Sequence, residues 1–422
     1  MKVCGIKAAS QSRRFWVLAS AAVVIAAMAS GCGGGGSSPS SSSSGSGSGS
    51  TGTSGTPVNN SQPLQVNAGP AGDSFNQPLT SVTICEPGTS TCQTISDVLV
   101  DTGSVGLRLL ASLVSVRLPE FTDASGSLVG NCVDFADNSF AWGPVVTADV
   151  QLAGEKAKSV PLQLIGAGGF PAAPSGCNTG GLDDNTATNL GANGIIGVGV
   201  FQQDCGTACS ATAASAPPIY FSCPSSGCAV AAVSLASQLQ NPVGLFPQDN
   251  NGVVISLPSV AVGGASSISG TLVFGIGTQT DNALGSAQVY TTDDLGNFSV
   301  SFSGLSYSGS FLDTGSNGFF FLDSPTSGLP LCAAPNSGFY CPAGATNVTI
   351  TTTGLNSTSA QVQFSVANAY SLFTSNNIVF NNVGGPNPGS FDLGLPFFLG
   401  RKVFVAIQGQ TTPGGSGPFW AY

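Results

Sequence analysis

The segment Asp101-Thr102-Gly103-Ser104 returns 212 positions later as Asp313-Thr314-Gly315-Ser316, and each copy sits between two apolar runs. Val98-Leu99-Val100 leads into the first, with Leu107, Leu109 and Leu110 beyond it; Phe311-Leu312 leads into the second, with Phe319-Phe320-Phe321 beyond it. A carboxylate at the end of a buried strand, on a tight glycine turn, is costly unless its charge is hydrogen-bonded or used. One such aspartate is explained by turn capping. Two with matching flanks point to a duplicated lobe and to two half-sites meeting across an approximate two-fold axis.

The rest of the chain supports that plan. Short apolar stretches rich in Val, Thr and Phe are broken every eight to twelve residues by some of the 58 glycines and 26 prolines, an all-β pattern. Helical periodicity is scarce, and residues 102–116 and 230–240 are the only places where short helices are expected. The repeat of about two hundred residues is too long for a solenoid. A body of roughly 350 residues exceeds what one core usually supports, so two lobes are expected, dividing between residues 255 and 290.

At these residues the chain resembles the pepsin-like aspartic proteases, over roughly residues 64–410. Beyond the paired motifs, each lobe of that family carries a later hydrophobic-hydrophobic-Gly element supporting its aspartate loop. Ile195-Ile196-Gly197 resembles the first, and Leu393-Gly394-Leu395-Pro396-Phe397-Phe398-Leu399 the second. Residues 233–239 and 270–275 read like the family's crossover between lobes. The chain is also similar to a group of uncharacterised bacterial envelope lipoproteins, which imply no activity. The resemblance implies an all-β, two-lobed acid protease fold, a double β-barrel with pseudo-two-fold symmetry.

It also implies roles. Asp101 and Asp313 would form a catalytic pair. Thr102 and Thr314 would exchange hydrogen bonds across the axis, Gly103 and Gly315 would allow the turns and offer N–H groups, and Ser104 and Ser316 would bond the outer carboxylate oxygens. Ile195, Ile196, Gly197 and Gly394 would support the loops. The residues alone agree on the class of chemistry: the chain has no histidine, which removes Ser-His-Asp and Cys-His catalysis and leaves carboxylates for acid–base work. Two like charges held together share one proton.

Three departures from the family pattern stand out. The flap hairpin expected over residues 132–152 lacks its tyrosine, since the first tyrosine of the chain is Tyr220; Phe135 and Trp142 are the candidates to fill its place, or are ordinary core aromatics. Arg108 stands near the place of the tryptophan that usually follows the first motif. Asp392 occupies a normally apolar position in the second support element, and is read as a turn residue in preference to a third carboxylate near the pair.

The N-terminus reads as an export signal over residues 1–31, with Lys2, Lys7, Arg13 and Arg14 ahead of a short apolar run. Ala29-Ser30-Gly31-Cys32 has the form of a lipobox, making Cys32 the expected lipidation site, with an ordinary cleaved signal as the alternative. Residues 33–56, almost all Gly, Ser and Thr, cannot bury apolar area and are expected to be a disordered tether spanning about 25–30 Å. Removing the signal's four basic residues from ten leaves six against 20 acidic ones, a net charge near −14. Such a chain is a poor nucleic-acid binder.

Setting aside Cys4 and Cys32, ten of the twelve cysteines remain, an even number suited to disulfides in an exported chain. Cys85 with Cys92, Cys205 with Cys209, Cys223 with Cys228 and Cys332 with Cys341 would close short loops, leaving Cys132 with Cys177; metal binding is the weaker alternative.

The organisation expected is therefore a signal peptide (1–31), a lipidated linker (32–62), an N-terminal lobe (63–265) and a C-terminal lobe (266–422). The function expected is that of a monomeric aspartic endopeptidase acting on polypeptide, without cofactor or metal. A lipid would anchor it to a bacterial envelope, with the outer membrane preferred because Gly33 is not the aspartate that retains lipoproteins inside. The alternatives are a pepsin-fold envelope lipoprotein that binds peptide or glycan without cutting, and a structural envelope protein.

Overall fold

The computed structural model describes residues 59–178 and 180–422. The expected signal peptide, the Cys32 lipidation site and all of the tether before residue 59 lie outside the described residues. The strand Ser61–Asn67 begins inside the segment expected as linker, because it pairs with Ile268–Phe274 through alternately buried Leu64 and Val66.

The architecture is all-β and two-lobed. A 15-stranded sheet and a 7-stranded sheet carry most of the chain, with one further two-stranded ribbon. The large sheet runs without a break through Gly252–Ser256, Ile268–Phe274 and Lys402–Ala406, so the hydrogen-bonded backbone is continuous across the expected lobe boundary. In the small sheet, Thr346–Thr353 and Ser359–Val366 form a hairpin whose β-branched residues alternate between buried and exposed, the period of a half-buried strand.

The same three-strand unit occurs once in each half. In the first, the motif strand Cys92–Asp101 runs parallel to the support strand Gly194–Val198, which pairs antiparallel with the return strand Val105–Leu110. In the second, Leu305–Leu312 runs parallel to Asn387–Leu393, which pairs antiparallel with Phe319–Leu322. The first support and return strands are buried throughout, which is why their sequences are near-continuous apolar runs. One large apolar core reaches from Leu64 through Val100 and Ile196 to Leu312, Leu393 and Trp420, joining the two halves.

Two helix expectations need correction. Residues 105–110 are the return strand, and only Ala111–Leu113 forms a 3-10 turn; Leu107, Leu109 and Leu110, with Val105 and Arg108, are buried on both strand faces and not on one helical stripe. Within residues 230–240 the helix shrinks to a 3-10 turn at Leu235–Ser237. Other short helices, such as Ala369–Phe373 capped by Asn368, are too brief for periodicity to reveal.

Among the described residues, five disulfides join the pairs read from spacing: Cys85–Cys92, Cys132–Cys177, Cys205–Cys209, Cys223–Cys228 and Cys332–Cys341. Cys85 and Cys92 are cross-strand partners. Cys132–Cys177 closes the longest loop, 45 residues, for which chain entropy gives about 4 kcal/mol. Among the described residues, no helix is long and apolar enough to cross a membrane.

Candidate active site

Each motif aspartate ends or directly follows its motif strand, so the backbone delivers both carboxyls to the seam between the halves. The loops are interlocked by the threonines. The Thr102 N–H donates to Thr314 Oγ1 and the Thr314 N–H donates to Thr102 Oγ1, each at 3.0 Å. Thr314 Oγ1 also donates to the Val100 carbonyl at 2.7 Å, and Thr102 Oγ1 to the Leu312 carbonyl at 3.5 Å. Every group in this lock is buried, where a hydrogen bond is worth most because no water can replace it.

The carboxyls then meet. The Gly103 and Gly315 N–H groups donate to Asp101 Oδ1 and Asp313 Oδ1, each at 2.8 Å, and the two carboxyls face each other across the paired turns. A Cβ on Gly103 would stand 2.6 Å from Asp313 Cγ, and one on Gly315 would stand 2.7 Å from Asp101 Oδ1. Only a residue without a side chain fits, because each turn is pressed against the opposite acid. The support glycines work alike: a Cβ on Gly197 would meet the Val105 nitrogen at 2.4 Å, and one on Gly394 the Gly318 oxygen at 2.2 Å.

Both acids are fully buried, and burial raises both pKa values above the ordinary carboxyl value. Asp313 is raised much further, since after burial it also feels the charges of Asp101 and Asp392. Asp101 is drawn back by the Asp313 hydrogen bond, by Ser104, by the Gly103 N–H and by the Arg108 charge. Two buried acids held this close share one proton between them instead of ionising together. A pair in this state can accept one proton and donate another across a few ångströms.

The serines differ. Ser316 Oγ lies 2.9 Å from Asp313 Oδ2 and 2.7 Å from Asp392 Oδ2. Ser104 Oγ is near enough to lower Asp101 yet closes no hydrogen bond of regular geometry, and Asp101 Oδ2 is likewise left without one. Asp392 is not a turn residue. It lies within the second support strand, 2% exposed, and is a third carboxyl linked to the pair.

Sequence reasoning missed a second buried polar group. Arg108, in the first return strand, donates from Nη1 to the Val105 carbonyl at 2.7 Å and pairs through Nη2 with Asp204 Oδ2 at 3.3 Å. Asp204 Oδ1 accepts from the Tyr220 hydroxyl at 2.6 Å, and that hydroxyl accepts from the Leu239 N–H at 2.6 Å. Burial pushes Asp204 up despite the pull of Arg108 and Tyr220. The one available signal was a lone arginine inside an apolar run; its partner is 96 residues away.

Beside this group lies a cavity of about 530 Å³, lined by Thr102, Gly103 and Arg108 from the first half and by Leu295, Phe311 and Trp420 from the second. The two acids do not line it. The flap candidates do not line it either, and that expectation is corrected. Trp142 pairs with Cys132 across the hairpin, packs tilted against Phe170 and edge-on to Phe221, and its indole N–H donates to the Pro171 carbonyl at 2.8 Å. Phe135 is buried among Leu99, Leu110 and Ile195. Phe135 is taken up by core packing, and Trp142 borders a separate pocket with Phe170 and Pro171.

Among solved structures, the aspartic proteinase from Irpex lacteus is similar over 86% of this chain and 96% of its own, at 16% identity and a TM-score of 0.47. No curated protein matches the chain. A family model described as "Protein of unknown function (DUF3443)" matches residues 56–422, most of the sequence, and the chain belongs to that family.

Proposed function

We propose that this protein is an aspartic endopeptidase in which Asp101 and Asp313 activate water for peptide hydrolysis. The observation that carries the reading is the meeting of two buried carboxyls from duplicated loops, locked by reciprocal threonine bonds and facing each other across the glycine turns. In the reaction, ionised Asp101 takes a proton from a water held between the acids while Asp313 donates its proton to the scissile carbonyl; a proton is later returned to the departing amine. No covalent enzyme intermediate is required. Arg108 favours the starting state by stabilising charge on Asp101.

The same proposal includes its setting: a monomer, exported and lipidated at Cys32, held on a bacterial envelope by the Gly/Ser tether, with the outer membrane preferred and with extended polypeptide as substrate. The sequence features at residues 1–56 support this part. The rival reading, a binding protein for peptide or glycan that does not cut, draws on one observation, the withdrawal of Trp142 and Phe135 into the core.

The deciding experiment is hydrolysis of a denatured protein across acidic to neutral pH, with and without a statine-type inhibitor. Inhibitor-sensitive cleavage lost in both Asp101→Asn and Asp313→Asn is expected. Cleavage surviving either substitution removes the dyad mechanism, and tight peptide binding with no cleavage at any pH favours the rival.

A further inference from the structure

Ser316 is within hydrogen-bond distance of two carboxyl oxygens, Asp313 Oδ2 and Asp392 Oδ2. A hydroxyl owns a single hydrogen, and an ionised carboxylate can only accept. Ser316 can fill one contact with its own hydrogen, so the other needs a hydrogen carried by a carboxyl. Asp101 and Asp313 face each other across the glycine turns, and two buried carboxyls side by side hold a further proton between them. Three links in series thus call for three hydrogens, and Ser316 brings one.

We propose that Asp101, Asp313 and Asp392 form one three-carboxyl unit, bridged by Ser316, that keeps two protons and one negative charge. Asp392 is its positioning residue, since it acts on the reacting pair through Ser316. The order of donation follows from where charge is best tolerated. Asp392 donates to Ser316 Oγ, Ser316 donates to Asp313 Oδ2, and Asp313 donates to Asp101. The charge rests on Asp101 because the Arg108 guanidinium of the first return strand acts there. The groups acting on Asp313 are Asp101 from the first loop and Asp392 from the second support strand, both acids. Burial of all four side chains penalises any state with two or three charges. The unit deepens the peptidase reading and rests on it only where turnover is measured.

The test begins with carbon NMR of aspartate-labelled protein, its carboxyl signals assigned through single Asp→Asn variants. It is run one to two pH units above the ordinary aspartate value of about 3.9. Two protonated carboxyls among the three, one of them Asp392, are expected; a single one, or an ionised Asp392, overturns the proposal. This count needs no turnover, so it stands or falls separately from the peptidase reading. The kinetic arm compares two folded variants. In Asp392→Asn the amide donates to Ser316 as the protonated acid does, and kcat/KM stays within about threefold. In Asp392→Leu that donor is lost and kcat falls roughly 10- to 100-fold with little change in KM, the range for a bond to a charged network. Equal losses in the two variants would reduce Asp392 to packing and overturn its positioning role.

Discussion

Ile195 and Asp392 hold matching places in the two halves. Each lies two residues before its support glycine, and each is in register with the residue two before its motif aspartate, Leu99 in one case and Phe311 in the other. In the first half the place is filled by an aliphatic side chain packed against Leu79, Leu99 and Leu110. In the second it carries an acid wired through Ser316 to Asp313. One backbone plan therefore holds two electrostatic environments. The first loop has a nearby cation in Arg108; the second has an additional acid. A duplicated half-site becomes a pair of unequal acids without any change in the loops themselves.

The largest effect should be the one that treats the halves alike. Asp101→Asn and Asp313→Asn are each expected to lower kcat/KM on a denatured substrate by about 10²- to 10⁴-fold. If only one of them mattered, the two loops would not be halves of one site. Next comes the attempt to make the first half resemble the second. Ile195→Asp places an acid among leucines of the core and should cost about 2–4 kcal/mol in urea unfolding. A loss below about 1 kcal/mol, ordinary for a surface change, would mean the matching places are not distinct environments.

The threonine lock offers a finer comparison. Thr314→Val removes the acceptor of the Thr102 N–H and a short bond to the Val100 carbonyl, whereas Thr102→Val removes the acceptor of the Thr314 N–H and an outgoing bond that is already long. Both should destabilise by about 1–3 kcal/mol, with Thr314→Val the larger; equal or reversed values would contradict the geometry.

The smallest effect is on pH dependence. Both acids have raised values in the folded state, so the folded protein holds protons that the unfolded chain releases. Their contribution to stability is complete below the unfolded aspartate value and is lost as pH rises through the raised folded values. Each proton adds a slope of about 1.4 kcal/mol per pH unit. Asp313→Asn and Asp101→Asn should each flatten that slope, which unfolding curves at successive pH values would show.

How much of this was legible in the sequence depends on distance and chemistry. The aspartate motifs, their threonines and the Ile195-Ile196-Gly197 support could be read because each is a contiguous string whose steric demands leave few substitutes. The disulfides could be read because four of the five close short loops, which left the last pair by elimination. Trp142 and Phe135 could not be placed, since an aromatic in a hairpin reads the same whether it faces a groove or the core. The Arg108–Asp204–Tyr220 group is assembled from three separate stretches, with no local pattern to announce it. Asp392 was misread because an acid close to a glycine is usually a turn, and only its contact with Ser316, 76 residues away, shows what it does.

The crossed threonines have one more implication. Each aspartate loop is completed by backbone and hydroxyl groups supplied from the opposite half, so neither can hold its shape if the two part company there. The floor beneath the acids must act as a fixed pivot, and whatever opening admits a long chain has to occur at the rim. Engineering aimed at access should leave that floor alone and work on the outlying hairpins.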